Sequence, residues 1–122
     1  MTESAQTVPV ACSLTATELT DQVQRWRWLG SRAGIAVHRR ADGLTVVFHN
    51  GRGVREELAA LAALERECCP FAEWSTHDDG DEVILTVVAQ RPEAVQAVQE
   101  MYDGFAATIP ASRQLRRAVG DH

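Results

Sequence analysis

The sequence predicts a two-layer α+β domain, in which a mostly antiparallel sheet of roughly five strands carries helices on one face, in the order βαββαββα. Two hairpin patterns and the helical stripes between them carry that prediction. Residues 35–49 and 71–89 each hold two strand-like runs around an aspartate–glycine turn, Asp42-Gly43 in one and Asp78-Asp79-Gly80-Asp81 in the other. A helical pattern accompanies each, so an αββ unit reads as occurring twice. The 122 residues suffice for one core and not two. Residues 1–7 then read as a disordered N-terminus, 8–107 as a single domain and 108–122 as a C-terminal tail.

Taken in order, Val8 to Leu14 reads as a short first strand carrying Cys12. Thr15-Ala16-Thr17-Glu18 is a capping box, a threonine and a glutamate three residues on that satisfy free backbone N–H groups, and it predicts a helix from Ala16. Leu19, Val23, Trp26 and Leu29 or Gly30 form its inward stripe. Trp28 falls off that stripe and is expected to cover a neighbouring edge, a partner surface or the mouth of a pocket. Gly34 ends the helix, and the first hairpin follows. Asn50 is the expected cap of a second helix whose broad apolar face holds Val54, Leu58, Leu61, Ala62 and Cys68, with Glu65 among them. Pro70 stops it, because proline disfavours helical geometry in the residue before it. In the second hairpin, Val83-Ile84-Leu85 and Val87-Val88 predict a well-buried strand. Pro92 suits a first helical position, and Val95, Val98, Tyr102 and Phe105 give a third amphipathic helix. From Ala111 to His122 the chain is basic, then polar, as expected of a weakly ordered tail.

Composition narrows the functions. Hydrophobic residues make up 45% and charged residues 24%, and no apolar run approaches the roughly 18 residues of a membrane span. The polar opening, with Glu3, does not read as a secretory leader, and a cytoplasmic location is expected. The net charge of −5 does not supply the basic face that phosphate neutralisation requires, which argues against a nucleic-acid partner. All twelve basic residues are arginine, a pattern that reads as genome composition bias. Three cysteines in a reducing compartment point to free thiols, metal ligation or redox chemistry before a disulfide framework.

The chemistry concentrates in Leu64-Glu65-Arg66-Glu67-Cys68-Cys69-Pro70-Phe71. Glu65 precedes Cys68 by three residues and Cys69 by four, the spacing that stacks side chains on one helix face. Polarisable thiolates prefer soft ions such as mercury, copper(I), zinc or arsenic(III) over hard ones. With Cys12 brought up from the first strand, the candidate metal site is Cys12, Cys68, Cys69 and Glu65. Adjacent cysteines are not the spacing of a structural zinc site. In an enzyme, Glu65, Cys68 and Cys69 would be the catalytic group, the carboxylate moving a proton while sulfur attacks an electrophile. Organomercurial lyases use the same residue types, an analogy of chemistry without a sequence match. Against easy thiolate chemistry stands the helix C-terminus, whose dipole disfavours negative charge. The plainer reading is that the cysteines are small core hydrophobes and that Glu65 is paired with Arg25, Arg39 or Arg66.

The early Ala-Cys-Ser-Leu-Thr strand followed by Leu-Glu-Arg-Glu-Cys-Cys-Pro-Phe resembles a group of small bacterial proteins of unassigned function. The resemblance rests on Cys12, Glu65, Cys68, Cys69, Pro70 and Phe71 and spans roughly residues 10–100. It implies that the site is not accidental and brings no activity with it.

The leading expectation is therefore a cytoplasmic protein that binds a thiophilic ion. A cysteine-dependent enzyme or thiol redox protein is the alternative from chemistry; a ligand- or protein-binding module using Trp28, Trp74 and the sheet face is the alternative from surface. The expected partners are a metal ion or small electrophile, and exposed sheet edges or a free sheet face leave room for a homodimer. Lesser candidates are His38, His49 and His77 as ligands or proton carriers. Arg52 or Arg55 beside the 49–53 loop could hold an anion, and Asp78, Asp79 and Asp81 a cation. Surface positions, helix capping and a solvated hairpin tip are the simpler readings of these three.

Overall fold

A computed structural model describes residues 16–68 and 71–113, with side chains over 21–67 and 71–113. Residues 1–7, the expected strand at 8–14 with Cys12, the pair Cys69 and Pro70, and residues 114–122 lie outside the described residues. The chain forms helix α1 (Ala16–Ala33), strands β1 (Gly34–Arg40) and β2 (Gly43–His49), helix α2 (Val54–Cys68), strands β3 (Ala72–Asp79) and β4 (Glu82–Ala89), a 3₁₀ turn (Pro92–Ala94) and helix α3 (Val95–Thr108). The architecture is α+β, as the sequence predicts. Among the described residues the antiparallel sheet has four strands in place of the expected five, in the order β1-β2-β4-β3. Each αββ unit supplies one hairpin, and the second strands of the two hairpins, β2 and β4, meet at the centre.

Strand periodicity sets which face is covered. Val46 stands opposite both Val37 and Leu85, and counting by twos from these pairs puts Leu44, Phe48, Val83, Val87 and Trp74 on the same face. These side chains form one buried cluster with Trp26, Leu29 and Ala33 of α1, Leu58, Leu61 and Ala62 of α2, and Val98 and Phe105 of α3. The helices thus layer the face that carries the large apolar residues.

Three local expectations are corrected. The inward stripe of α1 is Gln22, Trp26, Leu29 and Ala33, while Val23 is 38% exposed. Trp26, Leu29 and Gly30 are buried as the stripe predicts, and the one change is at its N-terminal end, where Gln22, four residues before Trp26, takes the inward place expected of Val23. Asn50 does not cap α2: its backbone N–H donates to the Asp81 carbonyl at 2.8 Å, tying it to the β3–β4 turn, while the first carbonyl of the helix ladder is that of Gly53, accepting from Glu57 at 3.0 Å. Nor does the aspartate–glycine pair of the first hairpin supply the turn, because Gly43 is the first residue of β2. Ala41 and Asp42 make the turn, and among the described residues only Gly53 and Gly80 have positive φ. Gly43 answers to a close approach, since a Cβ there would lie 1.9 Å from the Val87 carbonyl oxygen of the neighbouring strand. At the C-terminal end of the described residues, 111–113 are helical and Arg113 donates to the Gly34 carbonyl at 3.1 Å.

Candidate functional site

Helix α2 lays Leu58, Leu61 and Ala62 into the core, and Glu65 continues that face one turn further on. A carboxylate in this position needs donors. Its Oε2 accepts from Gln22 Nε2 and from Trp26 Nε1, the latter at 2.9 Å. Gln22 and Trp26 are four residues apart on α1, the interval that stacks side chains, so both reach one oxygen. Both donors are neutral.

The arginines expected to pair with Glu65 are engaged elsewhere. Arg25 makes a two-pronged contact with Glu57, Nε to Oε2 and Nη2 to Oε1, each at 2.9 Å. The hydrogen bond to Glu57, helped by that carboxylate's charge and opposed by partial burial, raises the Arg25 pKa. Arg39 lies 4.0 Å above the Tyr102 ring, and Arg66 donates to the Trp74 carbonyl at 2.7 Å. Among the described residues no arginine forms an ion pair with Glu65.

Trp26 is also the centre of an aromatic cluster. Its ring lies 6.2 Å from that of Trp74 and meets Phe105 edge-on at 5.2 Å. These three rings, with Met101 and Glu65, line a cavity of about 750 Å³. Val23, Arg27 and Trp28, all exposed, line it on the solvent side. Trp28 is 55% exposed, with the Arg32 guanidinium 4.7 Å above its ring, and is among the residues lining the cavity. Trp74 is 3% exposed and its indole N–H has no hydrogen-bond partner.

Of the four residues proposed from the sequence as a metal site, Glu65 is described in full and Cys68 as the last residue of α2, three positions beyond it. The Cys68 side chain, Cys12 and Cys69 lie outside the described residues. Among the described residues no group of three histidine, cysteine or acidic side chains is arranged to hold a metal. His38, His49 and His77 are exposed. Arg55 pairs with Asp78 at 2.7 Å, a hydrogen bond that with the charges of Asp78 and Glu56 raises its pKa, and this contact ties the start of α2 to the end of β3. It uses one candidate anion ligand and one candidate cation ligand on each other.

Gln22 and Trp26 as partners of Glu65, and the cavity beside them, are absent from the sequence reading. The available signal was Gln22 itself, which precedes Trp26 by four and Leu29 by seven and so shares their face. No protein-family model, curated protein or solved structure matches the chain. Among the described residues no helix is long and apolar enough to cross a membrane.

Proposed function

We propose that the protein is a cytoplasmic binding protein for a thiophilic ion, such as mercury(II), copper(I), zinc or arsenic(III). Cys68 and Cys69 supply the principal sulfurs, Cys12 a third, and Glu65 a fourth ligand or a proton acceptor. The observation that supports this reading is the condition of Glu65. It is a carboxylate on the core face of a helix, three residues before Cys68, oriented by two neutral donors through a single oxygen. A purely structural carboxylate is ordinarily balanced by a cationic partner. Both donors bond Oε2, and neither occupies Oε1. A carboxylate three and four residues before two cysteines suits a cation, and sulfur selects a soft one. Ion binding would also offset the helix dipole's disfavour of thiolates, because a coordinated thiol gives up its proton to the metal's field.

Native mass spectrometry of the reduced protein with one equivalent of mercury(II) or copper(I) tests this reading. A one-to-one adduct is expected, with a loss of affinity of at least about 100-fold in a Cys68→Ser, Cys69→Ser double variant and of roughly 10- to 100-fold in Glu65→Gln. Unchanged affinity in the double variant would overturn the proposal. Rapid alkylation of the ion-free thiols, faster than that of free cysteine, would favour the cysteine-dependent enzyme instead.

A further inference from the structure

We infer that the cavity walled by Trp26, Trp74, Phe105 and Met101 is a binding site for a small organic ammonium, which bonds Glu65 through its N–H groups and lays its carbon body against the rings. The inference shares Glu65 with the ion-binding reading but does not rest on the thiols, so the Cys68→Ser, Cys69→Ser variant tells the two apart.

Size, surface and charge each point there. The volume of about 750 Å³ falls within the roughly 300–1,000 Å³ of small-molecule sites. The two large hydrophobic residues that stand exposed among the described residues, Val23 and Trp28, both line this cavity. Exposed apolar surface gathered in one concave place marks a binding region more than scattered residues do. Among the described lining residues only Glu65 and Arg27 are charged, and they form no ion pair with each other. Arg27 is on the exposed side, whereas Glu65 is half-buried and held from within by Gln22 and Trp26. The less exposed side of the cavity therefore presents a carboxyl group, and its walls are indole and phenyl rings. Ring faces attract cations, and a carboxylate adds charge-assisted hydrogen bonds to an ammonium. An anion would meet Glu65 unfavourably. A neutral molecule of the same shape would forgo both attractions.

Calorimetric titration of the reduced, metal-free protein with 2-phenylethylammonium, 2-phenylethanol and 3-phenylpropionate tests the inference, with tryptophan fluorescence as a second readout. The ammonium is expected to bind at least about tenfold more tightly than the alcohol, and the carboxylate more weakly than either. Glu65→Gln should erase the ammonium's advantage while leaving alcohol binding in place, and Met101→Trp, which fills the cavity, should weaken both. The Cys68→Ser, Cys69→Ser variant should bind all three probes as the wild type does. Equal affinities for ammonium and alcohol in the wild type, or no saturable binding of any probe, would overturn the inference without recourse to a variant. An ammonium advantage that survives in Glu65→Gln would do the same.

Discussion

Oxygen Oε2 of Glu65 is the atom on which two helices agree. Gln22 and Trp26 of α1 reach it across the helix interface, and charge-assisted bonds of this kind contribute about 1.5–3 kcal/mol each. Trp26→Phe keeps most of the ring and its contacts with Trp74 and Phe105 but removes the indole donor. We expect a loss of about 2 kcal/mol in urea denaturation. The same substitution in a Glu65→Gln background should cost less, leaving a coupling energy of about 1 kcal/mol or more, whereas additive effects would show that the bond contributes nothing. At this scale the sequence made Glu65 legible, because a carboxylate on an apolar helix face demands partners. It did not make the partners legible. An arginine is the obvious choice by charge, yet Arg25 finds a two-pronged geometry at Glu57 that it would lose by turning to Glu65. Gln22 was hidden because Val23, one position on, is the better hydrophobe and drew the predicted stripe to itself.

Between elements, the crossing of α1 and α3 is set by the smallness of Gly30. A Cβ there would lie 2.0 Å from Thr108 Oγ1 and 2.6 Å from its Cβ. Thr108 cannot simply turn away, since its hydroxyl donates to the Phe105 carbonyl at 2.8 Å. Alanine in a helix is better than glycine by about 1 kcal/mol, but overpacking of this severity costs roughly 1–3 kcal/mol, so Gly30→Ala should lower the melting temperature. Gly104, in α3 on the cavity wall, makes the opposite case: nothing lies within 4 Å of a Cβ built there. Gly104→Ala should raise stability by about 0.5–1 kcal/mol. Thermal melts of the two variants moving in the same direction would contradict this account of the crossing. The elements themselves were legible because strands and helices announce themselves by period, and the hairpins fall where alternating apolar runs flank a turn. What a glycine is for was not legible. In sequence Gly43 looks like a turn residue, and its actual constraint is a strand that neighbours it only after the two hairpins have paired.

That pairing holds the molecule together. The run Val83 to Val88 predicts a buried strand, and β4 is indeed interior, but no local pattern in it says that its partner is β2 of the other αββ unit. Once the two hairpins join there, the core is continuous across both units: Trp26 from the first touches Trp74 from the second, and Arg25 of α1 clasps Glu57 of α2. Neither unit has a hydrophobic cluster of its own, so the described domain should unfold in one step. Gly43→Val examines this directly. Its Cβ would fall 1.9 Å from the Val87 oxygen and 2.9 Å from the Val87 carbonyl carbon, atoms of backbone that can yield only by opening the β2–β4 pair. A cost of about 3 kcal/mol or more is expected, larger than for Gly30→Ala, where the obstacle is a side chain. Because Trp26 and Trp74 belong to different units and the strands to both, tryptophan fluorescence and far-ultraviolet circular dichroism should lose their native signals at the same urea concentration in this variant as in the wild type. Two separated transitions would mean that one αββ unit persists without the other, and that the sheet junction is a contact between independent halves.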